Sequence, residues 1–330
     1  MRELTGLDPQ ALPEEFLRST QPAVIRGLVS HWPAVKANAE PGGLSAYLRR
    51  HTCGATVGAW FGPPEIEGRF DYNDDFTGFN FAREKVTFES ILDVLEQHCS
   101  NERPPAIYVG STTVDTCLPG FRSENDLGLA HLDPLVSLWI GNRARVAAHH
   151  DLPDNLACVI AGHRRFTLLP PDEVGNLYIG PLENTLAGQP TSLVDFKNPD
   201  LVRFPKFAQA MRRAQVAELG PGDAIFIPSM WWHHVEATDS FNALVNYWWR
   251  QSPGDMDSPM AALLLAIMSV RDLPPAQRDA WRSLFDHYVF DADATTAEHL
   301  PPAARQVLAA PLDSNAIRAL RARLIRRLNR

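Results

Sequence analysis

One residue separates His149 from Asp151 in the run VAAHHD (146–151), and a second histidine pair, His233-His234, follows the segment PGDAIFIPSMWW (221–232). Side chains alternate faces along an extended strand, so His149 and Asp151 project together while His150 points away. One imidazole nitrogen and one carboxylate oxygen on a common face, completed by a distant imidazole, form the three-point clamp of non-haem Fe(II) sites. Such a clamp leaves the positions opposite it open to other ligands. A His-x-Asp pair alone is a common pattern, and His131-Leu132-Asp133 is a second copy. That copy runs into Pro134, which disfavours helix at the residue before it and suits a loop. The copy at 149 is followed instead by Asn155, a strand, a glycine turn and a basic strand. Spacing does not choose between His233 and His234. Aromatic and imidazole side chains that merely fill a core are the plain alternative for their segment.

The elements that must hold these groups are short. Between about residues 106 and 250, apolar or alternating runs at 106–109, 135–140, 156–160, 166–169, 224–227 and 243–249 are broken by Gly, Pro and Asn. This spacing predicts a double-sheet sandwich or jelly roll. The first hundred residues mix helical stretches (13–19, 43–51, 87–99) with apolar segments such as 23–28, and read as α+β. Beyond Pro253 the signal is helical, at 260–270, 275–288 and 314–328. The expected organisation is an α+β chain with a mainly β core. Residues 1–252 form one domain with N-terminal helices and its β-core at about 106–250, and residues 253–330 form a helical segment.

The order HxDxxxN, GxRRFxLxPP, PGDxxFIPxxWWHHVE, LVNYWW resembles the cupin-like branch of the JmjC-type Fe(II)- and 2-oxoglutarate-dependent oxygenases, whose members include the factor-inhibiting-HIF asparaginyl hydroxylase. The likeness is strong over residues 108–250, and STQPAVIRGLVSHWPAV (19–35) resembles the family's opening strand and turn more loosely. The resemblance implies a double-stranded β-helix. It also implies metal ligands His149, Asp151 and His233, with His150 and His234 as structural neighbours.

In such a family 2-oxoglutarate chelates the iron through its 1-carboxylate and 2-keto oxygens, and its far carboxylate requires a buried cation. Arg164 is the candidate. Alternation places it on the face of Phe166 and Leu168 and turns Arg165 to solvent. An inward guanidinium needs an anionic partner, either a dicarboxylate cosubstrate or an internal Asp or Glu. The asparaginyl hydroxylase has Lys at the position matching Arg164, and a guanidinium fork keeps carboxylate binding while changing its geometry. Tyr108 matches the family Tyr whose hydroxyl helps bind that carboxylate, and a core Tyr is the alternative. Asn155 and Asn246 match family Asn positions lining the cosubstrate site, and either could simply satisfy strand backbone. The family Thr three residues before the first His is here Val146, so its hydrogen bond is absent or replaced.

The expected activity is oxidative decarboxylation of 2-oxoglutarate coupled to hydroxylation of a C–H bond, with dioxygen as the further substrate. The competing readings are a metal-dependent cupin of another activity, such as an isomerase or hydrolase, and a non-catalytic binding module. Composition is that of an ordinary folded protein, and the formal charge of −8 argues against a broad nucleic-acid surface. The primary substrate is therefore expected to be a protein side chain or small molecule rather than RNA. Five tryptophans (139, 231, 232, 248, 249) either rim a substrate site or fill the core. Four scattered cysteines without a CxxC pair, no leader-like N-terminus and no long apolar run lead to the expectation of a cytoplasmic protein without a membrane role. Six arginines (318, 321, 323, 326, 327, 330) interleave with Ile317, Leu320, Leu324 and Leu328, which reads as a packed helix with a solvated basic face. Leu263, Leu264, Trp281, Leu284, Phe285, Tyr288 and Phe290 add large apolar groups to the same segment. Related oxygenases dimerise through C-terminal helices, so a homodimer built there is expected, with coverage of its own core as the alternative.

Overall fold

The computed structural model describes residues 1–252, 254 and 256–329; the joint at Pro253 and the last arginine of the basic stripe, Arg330, lie outside the described residues. The chain divides into two compact units, Met1–Gln251 and Ser252–Arg330.

The first unit carries the strands β1 (Arg2–Thr5), β2 (Ala23–Arg26), β3 (Thr56–Gly62), β4 (Arg69–Phe70), β5 (Ala82–Thr87), β6 (Ala106–Thr113) and β7 (Leu135–Gly141), followed by β8 (Ala144–His149), β9 (Asp154–Ala161), β10 (Arg164–Leu169), β11 (Gln215–Leu219), β12 (Ala224–Ile227), β13 (Trp232–Ala237) and β14 (Asn242–Trp249). Nine form a large sheet in the order β1-β2-β12-β9-β14-β7-β6-β3-β5, and five form a small sheet in the order β11-β10-β13-β8-β4. From β7 to β10, and again from β12 to β14, the chain alternates between the sheets as it winds. That winding is a double-stranded β-helix.

The sheets reach well beyond residues 106–250. Four N-terminal strands extend the large sheet and β4 joins the small one. Their sequences hide this. The strand β5, AREKVT, is mostly exposed and charged, and β4 has only two residues, so backbone pairing rather than an apolar pattern places them.

Every residue of β9 is buried, because both faces of the large sheet are covered. Outward, Leu156, Cys158, Val245 and Tyr247 belong to one large apolar cluster that also takes in Phe88, Ile91, Leu92 and Leu95 of the helix Phe88–His98. That helix starts where the Thr87 hydroxyl accepts the Ser90 N–H. Its apolar residues recur at the spacing of one helical face, and each buried side chain contributes about 1.5–3 kcal/mol. Inward, Ala157, Val159 and Leu244 face Phe166 and Leu168 of the small sheet. The outer side of the small sheet is closed by Leu177, Val194, Phe204 and Phe207, which pack on Leu169 and Trp232.

The second unit contains the helices Pro259–Ser269, Pro275–Phe285 and Ser314–Leu328, the last capped by the Asp313 carboxylate on the Asn315 and Ala316 N–H groups. Ile317 and Leu320 are half-buried, whereas Leu324 and Leu328 are exposed. Only the first half of the apolar stripe is packed, so the expected packed helix is corrected for its C-terminal turns. Among the described residues no helix is long and apolar enough to cross a membrane.

Candidate metal centre and adjoining cavity

His149 ends β8 and His233 sits directly opposite it on β13, with a bulge between His233 and Val235. Their rings lie 4.3 Å apart, centroid to centroid. His233 Nε2 is 3.6 Å from Asp151 Oδ2, and one ligand atom from each of the three residues lies within 4.8 Å of the others. Among the described residues this is the one group of His, Cys, Asp or Glu so arranged.

Asp151 is not on the strand with His149. It lies in the bend between β8 and β9, so alternation along a single strand is not what brings the two together. A stitched pair of loops does. Met230 N–H donates to the Asp151 carbonyl at 2.9 Å, Ser229 N–H donates to Asp154 Oδ1 at 2.9 Å, and the Ser229 hydroxyl donates to the Leu152 carbonyl at 2.6 Å. Met230 adopts a left-handed φ of 67°, a costly conformation for a side-chain-bearing residue, within the loop that delivers His233.

The imidazole tautomers follow from their neighbours. His149 Nδ1 is 2.9 Å from the Ala147 carbonyl and His233 Nδ1 is 3.0 Å from the Trp231 carbonyl. A carbonyl only accepts, so both Nδ1 atoms carry the proton and both Nε2 lone pairs are free for a cation. Burial, aided by the neighbouring His149, pushes the His233 pKa down to about 4, which keeps the ring neutral near pH 7. Two imidazoles that turn Nε2 inward and a carboxylate, with open space on one side, suit Fe(II). The neighbouring histidines face elsewhere: His150 meets Trp232 edge-on and His234 stacks on Phe196. His131 and Asp133 occupy a separate turn, where Asp133 has φ 46°.

The three donors line a cavity of ≈ 50 Å³ that also touches Tyr108, Trp139, Asn155, Arg164, Asn246 and Trp248. At about 10–15 Å³ per water, it has room for a few waters or a small diacid. Arg164 is 5% exposed. Its Nη2 lies 3.5 Å from the Trp139 carbonyl, its Nε has no hydrogen-bond partner, and among the described residues no carboxylate pairs with it. Burial pulls its pKa down to about 10. Arg165, one residue on, is exposed. A guanidinium buried without an internal anion is the donor set that a bound carboxylate completes. Tyr108 is buried against Arg164 electrostatically, its pKa raised by desolvation, and its hydroxyl bonds to no protein group among the described residues.

Asn155 and Asn246 face the cavity as a linked pair: Asn246 Nδ2 donates to Asn155 Oδ1 at 3.3 Å, and Trp139 Nε1 donates to Asn246 Oδ1 at 2.8 Å. Val146 presents methyl groups where a family Thr would present a hydroxyl. Of the five tryptophans, Trp231, Trp232 and Trp249 are buried, whereas Trp139 and Trp248 line the cavity. Alternation along β14 from Asn246 carried the signal for Trp248, two residues on and on the same face.

A family described as "Cupin-like domain" matches residues 9–255. Lysine-specific demethylase 8 of Xenopus tropicalis is 28% identical over 244 residues, covering 72% of this chain and 49% of that protein. Lysine-specific demethylase JMJ31 of Arabidopsis thaliana is 26% identical over 283 residues, 72% of this chain and 48% of its own length. The human bifunctional peptidase and (3S)-lysyl hydroxylase JMJD7 is 27% identical over 278 residues, 74% of this chain and 83% of its own. The chain thus spans about half the length of the first curated relatives it matches.

Proposed function

Because the chain belongs to the cupin-like domain family, we propose that it is an Fe(II)- and 2-oxoglutarate-dependent oxygenase that hydroxylates a C–H bond of its substrate. Bound iron, 2-oxoglutarate and dioxygen would supply the oxidising chemistry, with succinate and carbon dioxide as coproducts.

The chain's own residues hold and orient. His149, Asp151 and His233 would hold the metal through two Nε2 atoms and one carboxylate. Arg164 would receive the far carboxylate of the diacid as a two-pronged donor, with the Tyr108 hydroxyl beside it. Asn155 and Asn246, locked to each other and to Trp139, would keep the cavity wall polar and fixed. Apolar Val146, Phe166 and Leu244 exclude water from the space between.

The observation that carries this reading is the pairing of two features in one cavity: a set of three metal donors, and a buried guanidinium with no anionic partner among the described residues. An isomerase or hydrolase has no need of the second. The names of two relatives, a lysine-specific demethylase and a lysyl hydroxylase, favour a protein side chain as substrate, and the acidic net charge of −8 favours it over RNA. A homodimer through the second unit belongs to the same proposal, supported by Met268, Trp281, Tyr288, Val289 and Phe290, which the single chain leaves exposed. So does a reducing, cytoplasmic setting, supported by four free cysteines.

The test is calorimetric. Anaerobic protein should take up one Fe(II) and then one 2-oxoglutarate, and His149→Ala should lose the first step while keeping its fold. Unchanged iron uptake by that variant would remove the metal assignment. A monomer in light scattering at high protein concentration would remove the dimer.

A further inference from the structure

Two indole N–H groups face the cavity, and among the described residues only one finds an acceptor. Trp139 Nε1 donates to Asn246, whereas Trp248 Nε1 is buried without a partner among them. An indole nitrogen only donates, and buried donors are paired in the great majority of proteins. The missing acceptor has to come from what the cavity holds.

Sheet register tells which end of the cavity that is. Trp139 pairs with Leu244, and the Trp139 carbonyl lies beside the Arg164 guanidinium, so the Leu244 level is the Arg164 end. Trp248 is four residues farther along β14, roughly 13 Å at ~3.3 Å per residue, and pairs with Asn155, which follows Asp151 by one short turn. The small sheet runs the same way: Arg164 pairs with Ala237, while Leu168, four residues on, pairs with His233, itself opposite His149. Trp248 therefore stands level with the metal donors. The edge-on contact with Trp139, centroids 5.6 Å apart at 78°, holds its ring in place.

We propose that Trp248 is a ligand-binding residue: its Nε1–H donates a hydrogen bond to an oxygen of the bound 2-oxo acid at the end that faces His149, Asp151 and His233. This rests on the functional reading above. Arg164 would grip one carboxylate of the diacid and Trp248 the oxygens at the other end, so the cavity would read the ligand's length as well as its charge.

The experiment uses the full chain loaded with Zn(II), which is inert to oxygen, and titrates 2-oxoglutarate. By calorimetry Trp248→Phe should bind it about tenfold more weakly than the wild type, the size of one lost hydrogen bond to a charged oxygen. In ¹⁵N-labelled wild type, the Trp248 indole proton, assigned through its own backbone so that no variant is needed, should move downfield on ligand addition. An unmoved indole signal beside bound 2-oxoglutarate, or equal affinity in a folded Trp248→Phe protein, overturns the inference and leaves the functional reading standing. Zinc-loaded wild type that takes up no 2-oxoglutarate overturns both.

Discussion

Replacing Arg164 by Leu should stabilise the ligand-free protein while removing its affinity for 2-oxoglutarate. Burial pulls the guanidinium pKa down from its ordinary value to about 10, and at ~1.4 kcal/mol per pH unit this charge costs the fold roughly 3 kcal/mol. A base whose pKa falls on folding carries its full penalty at every pH below the lower value, so the cost is complete at pH 7. Leucine keeps the apolar stem, discards the charge and breaks no ion pair, since none forms among the described residues. At about 2–4 °C per kcal/mol for a domain of this size, the melting midpoint should rise by several degrees. The wild type should gain about 2.7 kcal/mol from ligand at a hundred times its dissociation constant, and the variant nothing. Differential scanning fluorimetry on zinc-loaded protein, with and without 2-oxoglutarate, measures both effects. A midpoint lowered by more than a few degrees would mean that Arg164 has an internal partner. A retained ligand-induced rise would mean that the diacid is held elsewhere.

Three further outcomes follow from the same geometry. Folding lowers the His233 pKa from 6.5 to about 4, so the metal-free protein should lose roughly 3 kcal/mol as pH falls from 6.5 to 4; denaturant titrations across that range should show the slope, and His233→Gln should flatten it. Tyr108→Phe removes a hydroxyl that bonds to no protein group among the described residues. Its melting midpoint should stay within a degree or two of wild type while 2-oxoglutarate affinity, read by calorimetry, drops about five- to tenfold. Gly162 turns β9 into β10 with φ 66°, and a Cβ there would run into Asn242, so Gly162→Ala should cost about 1–3 kcal/mol in chemical denaturation and displace Arg164 enough to weaken the ligand.

Most of the site could be read from the chain because strand alternation is a strict rule. Arg164 turns inward with Phe166 and Leu168, and Asn246 faces the cavity, as the period of two requires. The rule ran out where the backbone leaves the strand. Asp151 meets His149 through a bend tied to the 228–231 loop, and nothing in the run HHD reveals the hydrogen bonds that tie it. The choice of His233 over His234 was likewise invisible to spacing and came from family likeness alone; the bulge beside His233 and the ring of Phe196 against His234 show how the two are kept apart. The edge strands β1 and β5 escape a sequence reading because pairing there is a backbone matter and most of their side chains face solvent, and β4 because two residues, one of them the buried Phe70, are too few to show a pattern. The second unit was legible as helices from caps and periodicity, but its exposed apolar side chains depend on contacts that sequence pattern does not encode.

The most direct measurement is the conversion of 2-oxoglutarate by the protein alone. With Fe(II) under air and no added primary substrate, the wild type should release succinate slowly, and His149→Ala and Arg164→Leu should release none. Iron-loaded wild type that neither binds 2-oxoglutarate nor forms succinate would contradict the oxygenase assignment.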